Sequence, residues 1–323
     1  GGVWTDAAGQ DLQGYVRALS LDLKGVVPTA DELRSIEADG EMTEARLSEW
    51  LYSTEFEEQV IEHHRSLLWN NLAFNLLNSR RLAQRSGIYW VNQRARFLRG
   101  SLGIHCGDFE ADVDDWNRPI NPPQNEDGTY SEGYVLVNPY WAMDTEVKVC
   151  AFDAQLTPVS ENGIDCSSQS ARVEPDCGCG PNLQWCMTRS IEDEIKDGLV
   201  SDLNERVRAM LQSDGSYTDL LAGNTMFING PMVHFFQYIA PFNEDDYESP
   251  IPVFELPDID FNDKTWTEIT LDEHHNGIFT APGWLLRHQT NRGRANRFYG
   301  GFLCKDFIPA SNEISGLSSQ DTP

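Results

Sequence analysis

Six of the seven cysteines lie between residues 106 and 186, and the stretch DCGCGPNLQWC alone holds three of them. Cysteines so grouped can bind a metal, attach a cofactor or form disulfides. Zinc sites use pairs at about C-x2–4-C spacing, whereas this stretch has C-x-C-x6-C, with His105 as the only nearby histidine. The C-x-x-C-H string of covalent haem attachment is absent from the chain, so no haem is attached within it. Disulfides are the favoured interpretation.

A cysteine-dense segment without its own core is typical of proteins that fold in an oxidising compartment. We therefore expect an extracytoplasmic protein, located in the periplasm, at the outer-membrane surface or secreted. Cys304 is the odd cysteine, left for a partner beyond Pro323 or in another chain. The cysteines expected to be oxidised are Cys106, Cys150, Cys166, Cys177, Cys179 and Cys186.

The pairing of these cysteines is less well determined, because six cysteines allow 15 connectivities. We predict a bond between Cys150 and Cys166, and a bond from Cys186 to either Cys177 or Cys179. Cys177 and Cys179 are then expected to have different partners.

Two segments, 63–107 and 274–305, contain no aspartate or glutamate, although the chain has 51 acidic and 24 basic residues and a net charge of −27. Their basic residues are nearly all arginine, whose planar guanidinium binds carboxylates and phosphates in a bidentate manner. One interpretation is a cationic pocket or docking face for an anionic ligand, cofactor or partner. The other is that these arginines pair with acids from the rest of the chain and orient the helices.

For Arg292, Arg294 and Arg297 both interpretations stay open, because three cations so close in sequence repel each other unless an anion is supplied. These arginines, together with His288, are the predicted cofactor-binding residues. We also predict that the two acid-poor segments meet in space, with anions between or around them.

Two acidic strings, DFEADVDDW and NEDGTYSE, resemble calcium loops, in which oxygen ligands alternate around a turn. Asp127 and Glu132 are the candidate calcium ligands, and a solvated loop is the alternative. The other histidines fit structural roles. No nucleophile, zinc-protease or phosphate-binding motif is present, so no catalytic residue is predicted and enzymatic activity stays undecided.

The acidic balance argues against nucleic acid as a partner, because phosphate binding needs an excess of lysine and arginine. No apolar run approaches the roughly 20 residues of a membrane helix, so no transmembrane segment is expected. The first residues also lack the pattern of a signal peptide. The sequence does not distinguish whether Gly1 is the processed start of a mature chain.

Helical signals dominate outside the cysteine-rich segment. Capping boxes are predicted at Thr29 and Thr54, with a long helix from Thr54 to about Leu77 and another over 88–98. Further helices are predicted from Ser190 to about Leu211 and over YTDLLAG and MVHFFQYI. Within the cysteine-rich segment, YVLVNPYW and EVKVCAF alternate as two short strands, which we predict to pair as a hairpin.

The expected fold is mainly α: a discontinuous helical domain with a cysteine-rich irregular insertion that contains short strands. Residues 1–105 form its N-terminal helical part, 106–186 the disulfide-stapled insertion, and 187–323 the C-terminal helical part. An acidic excursion covers 241–271. No internal repeat is found.

Three strings together resemble a known group of proteins: LSLDLKGVVPTADEL (19–33), DGSYTDLLAGNTMFING (214–230) and GIFTAPGWLLRHQTNRGRANRFYGGFLC (277–304). They are similar to large secreted proteins of planctomycetes and myxobacteria, built from uncharacterised domains found beside c-type cytochrome modules. The resemblance leaves the cysteine-rich segment largely unmatched. In that group a C-x-x-C-H haem site usually follows the third string, and this sequence ends without one.

The resemblance implies an extracytoplasmic scaffold or subunit of a cytochrome-containing assembly, which supports electron transfer by holding or docking a haem protein. The haem would come from a further segment or from a partner chain, with the three arginines near its propionates. The alternative is a surface structural or binding module whose acidic loops bind calcium. A hydrolase ranks third.

Overall fold

The computed structural model describes residues 12–68, 72, 80–91, 106–213, 215–243 and 249–306. Four helices open the described chain: α1 (Leu12–Lys24), α2 (Ala30–Asp39), α3 (Glu44–Leu51) and α4 (Thr54–Leu68). The apolar faces of α1, α2 and α3 meet in a small core around Val16, Ile36 and Trp50, whereas α4 buries Ile61 and Leu68 in a different core.

The starts of α2 and α4 show how the sequence sets helix boundaries. The predicted capping box at Thr29 is confirmed: its side chain accepts from the Glu32 amide, and the Glu32 carboxylate accepts from the Thr29 amide. At α4 the capping oxygen belongs to Ser53, which accepts from the Phe56 amide. The capping box predicted at Thr54 was wrong, because the cap lies one residue earlier and Phe56 has no polar side chain to complete a box. The predicted end of α4 was wrong, because the helix stops at Leu68 and Leu72 is not helical.

Helix α5 (Arg189–Gln212) is the central element of the C-terminal half. It carries buried apolar residues four apart, Ile191, Ile195, Leu199 and Leu203, which pack into two adjoining cores. The predicted helix from Ser190 is confirmed, although the capping side chain is that of Thr188.

The elements that pack around α5 alternate short helices with short strands. The two predicted helices in YTDLLAG and MVHFFQYI are present, the second as a short α-helix that continues into a π-turn. The elements are α6 (Tyr217–Ala222), β6 (Thr225–Ile228), α7 (Gly230–His234), β7 (Thr267–Thr270), α8 (Pro282–Arg287) and α9 (Asn291–Phe302). Strands β6 and β7 form an antiparallel two-stranded sheet.

The second layer is a five-stranded mixed sheet with the strand order β3-β4-β2-β1-β5. Its strands are β1 (Arg80–Arg85), β2 (Ile88–Val91), β3 (Tyr134–Val137), β4 (Val147–Cys150) and β5 (Cys186–Met187). The predicted hairpin of β3 and β4 is confirmed, with Val135 opposite Val149. Parallel pairs join β4 to β2 and β1 to β5.

This sheet contradicts the expected fold class. The protein is not mainly helical with a few strands in an insertion, because the sheet takes two of its five strands from the segment before residue 106. Residues 88–91, predicted to begin a helix, form β2, and residues 92–98 of that prediction lie outside the described residues. The sheet therefore joins the cysteine-rich segment to residues 80–91 of the acid-poor segment 63–107.

The cysteine-rich segment also contains a structural repeat that the sequence analysis missed. Three hairpins share one form. In each, the amide of the first turn residue, i, donates to the carbonyl of residue i+4, and residue i+3 has a positive φ. This is a type I turn followed by a left-handed residue, a common three-residue hairpin loop. The first residues are Asp114, Asn125 and Ser160, and the left-handed ones are Asn117 (57°), Gly128 (84°) and Gly163 (78°).

Candidate functional site

The predicted cofactor-binding residues, His288, Arg292, Arg294 and Arg297, gather where α8 turns into α9. We call this region, together with Arg287 at the end of α8, the α8–α9 corner. Helix α8 starts with Pro282, which suits the first helical position because it has no amide hydrogen to leave unpaired. The chain leaves helical geometry at His288, and Thr290 restarts it by accepting from the Gly293 amide.

Aromatic packing fixes this corner on the rest of the fold. Trp284 is buried in the core beneath α5, and its ring lies 4.3 Å, centroid to centroid, from the His288 ring. Phe279 contacts Phe298 and Phe302 edge-to-face at 5.2 and 5.0 Å. No residue of α9 is fully buried, so most of this helix surface faces outward.

The inner side of the corner covers the carboxyl end of α4. Arg297 donates to the carbonyl of Ser66 at 2.8 Å, and Nε2 of His288 lies 3.3 Å from the carbonyl of Leu68. The last carbonyls of a helix have no partner within the helix and carry its partial negative charge. Basic side chains from α8 and α9 therefore satisfy the end of α4.

Arg294 is held in a similar way by the turn before α9. Its Nε donates to the His288 carbonyl at 2.7 Å, with longer contacts of 3.4 Å to the Gln289 carbonyl and the Asn291 side chain. Arg292 is exposed on the outer face. Within the described part of the chain, neither Arg292 nor Arg294 forms an ion pair with a carboxylate.

The positive charge of the corner lowers the pKa values of its own basic groups. Burial lowers the pKa of His288, and the charges of Arg287, Arg297 and Arg294 lower it further. The pKa of Arg297 is lowered by burial first and then by Arg287. His288 is therefore neutral at pH 7, and the cations surround it.

The predicted meeting of the two acid-poor segments is confirmed where 66–68 contact 288–297. The prediction that anions lie between them is not met at these contacts, because backbone carbonyls accept the hydrogen bonds. Elsewhere the alternative of structural pairing holds: Arg81 pairs with the buried Glu192, and Arg65 lies 3.6 Å from Glu62. Arg94, Arg96 and Arg99 lie outside the described residues.

All six cysteines of the cysteine-rich segment are oxidised, as Cys106–Cys150, Cys166–Cys177 and Cys179–Cys186. The predicted partner of Cys186 is confirmed as Cys179, and Cys177 and Cys179 do have different partners. Three disulfides indicate a protein that folds outside the cytoplasm. Cys304, just after α9, has a free and exposed thiol.

The predicted Cys150–Cys166 bond was wrong, and the strand pairing explains why. The amide of Gly107 donates to the carbonyl of Glu132, so the chain after Cys106 runs beside the start of β3. Tyr134 at that start is directly opposite Cys150 in the β3–β4 register. Cys106 is thereby brought to Cys150, although 44 residues separate them in sequence.

The two candidate calcium ligands have different surroundings. The Asp127 carboxylate accepts from the amide and hydroxyl of Thr129, at 3.1 and 2.6 Å, in an exposed hairpin. Glu132 is buried and accepts from the Phe152 amide at 2.8 Å. Among the described residues, no group of three or more acidic, histidine or cysteine side chains is placed to hold a metal. Calcium binding stays a prediction.

Sequence reasoning found the arginines of the corner but missed their acceptors. The carbonyls of Ser66 and Leu68 leave no trace in side-chain composition. The one sequence feature that could have indicated these acceptors is the excess of basic residues, because basic side chains are stabilised near the carboxyl end of a helix such as α4.

No protein-family model matches this chain, and neither the curated proteins nor the solved structures include a match. Over the described ranges, no helix has the length and apolar character needed to cross a membrane.

Proposed function

We propose that this protein is an extracytoplasmic subunit that docks a haem protein at the α8–α9 corner and thereby supports electron transfer. The observation that carries the proposal is the concentration of basic side chains at this corner, on a chain whose net charge is −27. A cationic site on an acidic protein selects for a local anionic group, since an extended acidic surface would be repelled by the rest of the molecule.

The exposure of α9 supports docking over a purely structural role. Helix α9 has no fully buried residue, and Tyr299 and the following Leu303 are about 40% exposed beside Cys304. An exposed aromatic residue next to arginines is typical of the centre of a protein–protein interface.

Haem propionates fit the chemistry of this site. Each propionate is a planar carboxylate that a guanidinium can bind through two parallel hydrogen bonds. The resemblance of residues 277–304 to cytochrome-associated secreted proteins supports this choice of anion. In this proposal the arginines contact the propionates, because Nε2 of His288 already faces the Leu68 carbonyl.

Titration with haemin, followed through its Soret absorbance, tests the proposal. Haemin dimethyl ester is the matched control ligand, because its esterified propionates carry no negative charge and cannot form the bidentate carboxylate–guanidinium pair. We expect Arg292→Glu and Arg294→Glu each to weaken haemin binding at least tenfold, since a charge-assisted hydrogen bond contributes about 1.5–3 kcal/mol. Arg34→Glu, an exposed change on α2, should have little effect.

Two outcomes would refute the proposal. One is equal binding of haemin and its dimethyl ester, which would show that the propionates are not recognised. The other is unchanged haemin binding by both corner variants. Arg292→Glu guards against misfolding as the cause of a loss, because Arg292 is exposed and its side chain makes no hydrogen bond within the described chain.

A further inference from the structure

Tyr140 and His234 form a stacked pair in the main core, on the side of the molecule where the end of α7 meets the loop after β3. Their ring centroids lie 3.7 Å apart with an interplanar angle of 20°. Phe261 packs edge-on against both rings, at 5.0 Å from Tyr140 and 5.6 Å from His234. Trp141 and Tyr238 complete the aromatic surroundings, with centroids 4.8 Å from Tyr140 and 5.0 Å from His234.

The polar atoms of this pair are buried without a partner. Among the described residues, neither the Tyr140 hydroxyl nor Nε2 of His234 has a hydrogen-bond partner, although both atoms are shielded from solvent. A buried polar atom without a partner is destabilising, so natural proteins keep few of them.

The two atoms have complementary hydrogen-bonding roles. The other ring nitrogen of His234 bonds to the Gln184 carbonyl, which assigns the proton to that nitrogen and leaves Nε2 as an acceptor. Burial lowers the pKa of His234 to about 3, so the ring is neutral. Burial, and then the charge of Glu194, raise the pKa of Tyr140, so its hydroxyl stays protonated and can donate.

We infer that Tyr140 and His234 form an internal binding site for one small neutral molecule of the size of water. The guest accepts a hydrogen bond from the Tyr140 hydroxyl and donates one to Nε2 of His234. Buried waters typically make two to four such bonds to groups that would otherwise be unsatisfied. A stacked pair can present both atoms to one guest, because two hydrogen bonds of about 2.8 Å bridge adjacent rings.

An ion does not fit this site. Neither side chain is charged, and the surrounding rings supply no counter-charge, so a buried ion would lose its hydration without compensation. The nearest ion pair, Lys264 with Glu194 at 2.6 Å, lies toward the surface, where Nζ of Lys264 is 4.6 Å from the Phe261 ring centroid. The site therefore selects a neutral guest.

The sign of one stability change tests the inference. If a guest bridges the pair, Tyr140→Phe removes a satisfied hydroxyl and strands both the guest and His234, so the melting temperature should fall by several degrees. If the site is empty, the same change removes an unsatisfied hydroxyl, and the melting temperature should stay constant or rise. Tyr15→Phe, on the exposed face of α1, is the control and should leave it unchanged.

A crystal structure at high resolution supplies the second measurement. We expect a solvent peak within about 3.2 Å of both the Tyr140 hydroxyl and Nε2 of His234. An unchanged or higher melting temperature for Tyr140→Phe, or a structure without density between the two atoms, would overturn the inference.

Discussion

At the scale of single residues, Asp202 and Arg206 on α5 form an ion pair in which both side chains are buried. Asp202 is fully buried, and its two carboxylate oxygens share the Nε–H of Arg206 at 3.1 and 3.0 Å. The carboxylate also accepts from the Phe227 amide at 2.8 Å. Arg206 also donates to the Gly277 carbonyl at 3.2 Å. The pair therefore joins α5 to β6 and to the turn before α8.

Breaking this pair should be costly. We expect Asp202→Asn to lower the free energy of unfolding by about 3–5 kcal/mol, because it leaves the Arg206 charge buried and uncompensated. The matched control is Asp31→Asn, which breaks the exposed Asp31–Arg34 pair of α2 and should cost about 1 kcal/mol or less. Urea unfolding of the three proteins measures both effects, and equal losses would contradict the assigned role of burial.

Glu32 gives a prediction about pH. Partial burial alone would raise its pKa, but hydrogen bonds from Lys24 and Thr29 and the charge of Lys24 lower it from 4.5 to about 2. A depressed carboxyl pKa stabilises the fold above the unfolded value of 4.5, and this contribution is lost as the pH falls from 4.5 toward 2.

We therefore expect Glu32→Gln to be less stable than the unmodified protein at pH 6, with the difference shrinking between pH 4.5 and 2. The control is Glu41→Gln, which removes an exposed carboxylate outside any helix. Urea midpoints measured across this range provide the test. A stability difference that does not change with pH would show that the Glu32 charge is not responsible.

The chemistry of the candidate site could be predicted from single residues, but its geometry could not. The excess of arginine in two segments is visible in the sequence, and the prediction that these segments meet is confirmed where Arg297 donates to the Ser66 carbonyl. The identity of the acceptor was not visible, because a backbone carbonyl is present at every residue. The stacked pair of Tyr140 and His234 was equally hidden, since its members come from unrelated stretches of sequence.

At the scale of elements, helices were predicted better than strands. Helix α5 spans 24 residues, long enough for its apolar period to be recognised. Strand β2 has four residues, and over that length an apolar run fits a helix and a strand equally well. The missed signal was the dipeptide Ser86–Gly87, whose φ values of 50° and 81° form the two-residue turn between β1 and β2.

The turns of the cysteine-rich segment allow a comparison of two glycines. Gly163 and Gly180 both have positive φ, 78° and 72°, so alanine should be strained at either position. A Cβ at Gly163 would meet nothing within 4 Å, whereas at Gly180 it would lie 2.6 Å from the Trp185 ring.

We expect Gly163→Ala to cost about 1–2 kcal/mol for the backbone conformation alone. Gly180→Ala should cost about 1–3 kcal/mol more, because Trp185 must move within a loop closed by the Cys179–Cys186 disulfide. The backbone adds to this difference, since Gly180 combines its positive φ with a ψ of −176°, a conformation that is essentially confined to glycine. Urea unfolding under oxidising conditions measures the difference. Equal losses would mean that neither the Trp185 contact nor the backbone conformation of Gly180 adds to the cost.

At the scale of the whole molecule, the charge is distributed unevenly. The chain carries a net charge of −27, while the α8–α9 corner brings several arginines together. Most acids of the described residues are exposed, and repulsion among them opposes the compact state. The corner is the opposite case, because its basic groups are stabilised by the carboxyl end of α4.

This distribution predicts two opposite responses to salt. Raising NaCl from about 20 to 300 mM shortens the screening length from roughly 20 Å to about 6 Å, which weakens repulsion between the exposed acids. The free energy of unfolding should therefore rise with NaCl. If it falls instead, ion pairs such as Arg208 with Glu58 outweigh the net repulsion.

Haemin binding at the corner should weaken over the same range of NaCl, because it depends on attraction between opposite charges. If the affinity for haemin does not change with salt, attraction to the arginines is not what holds the haemin.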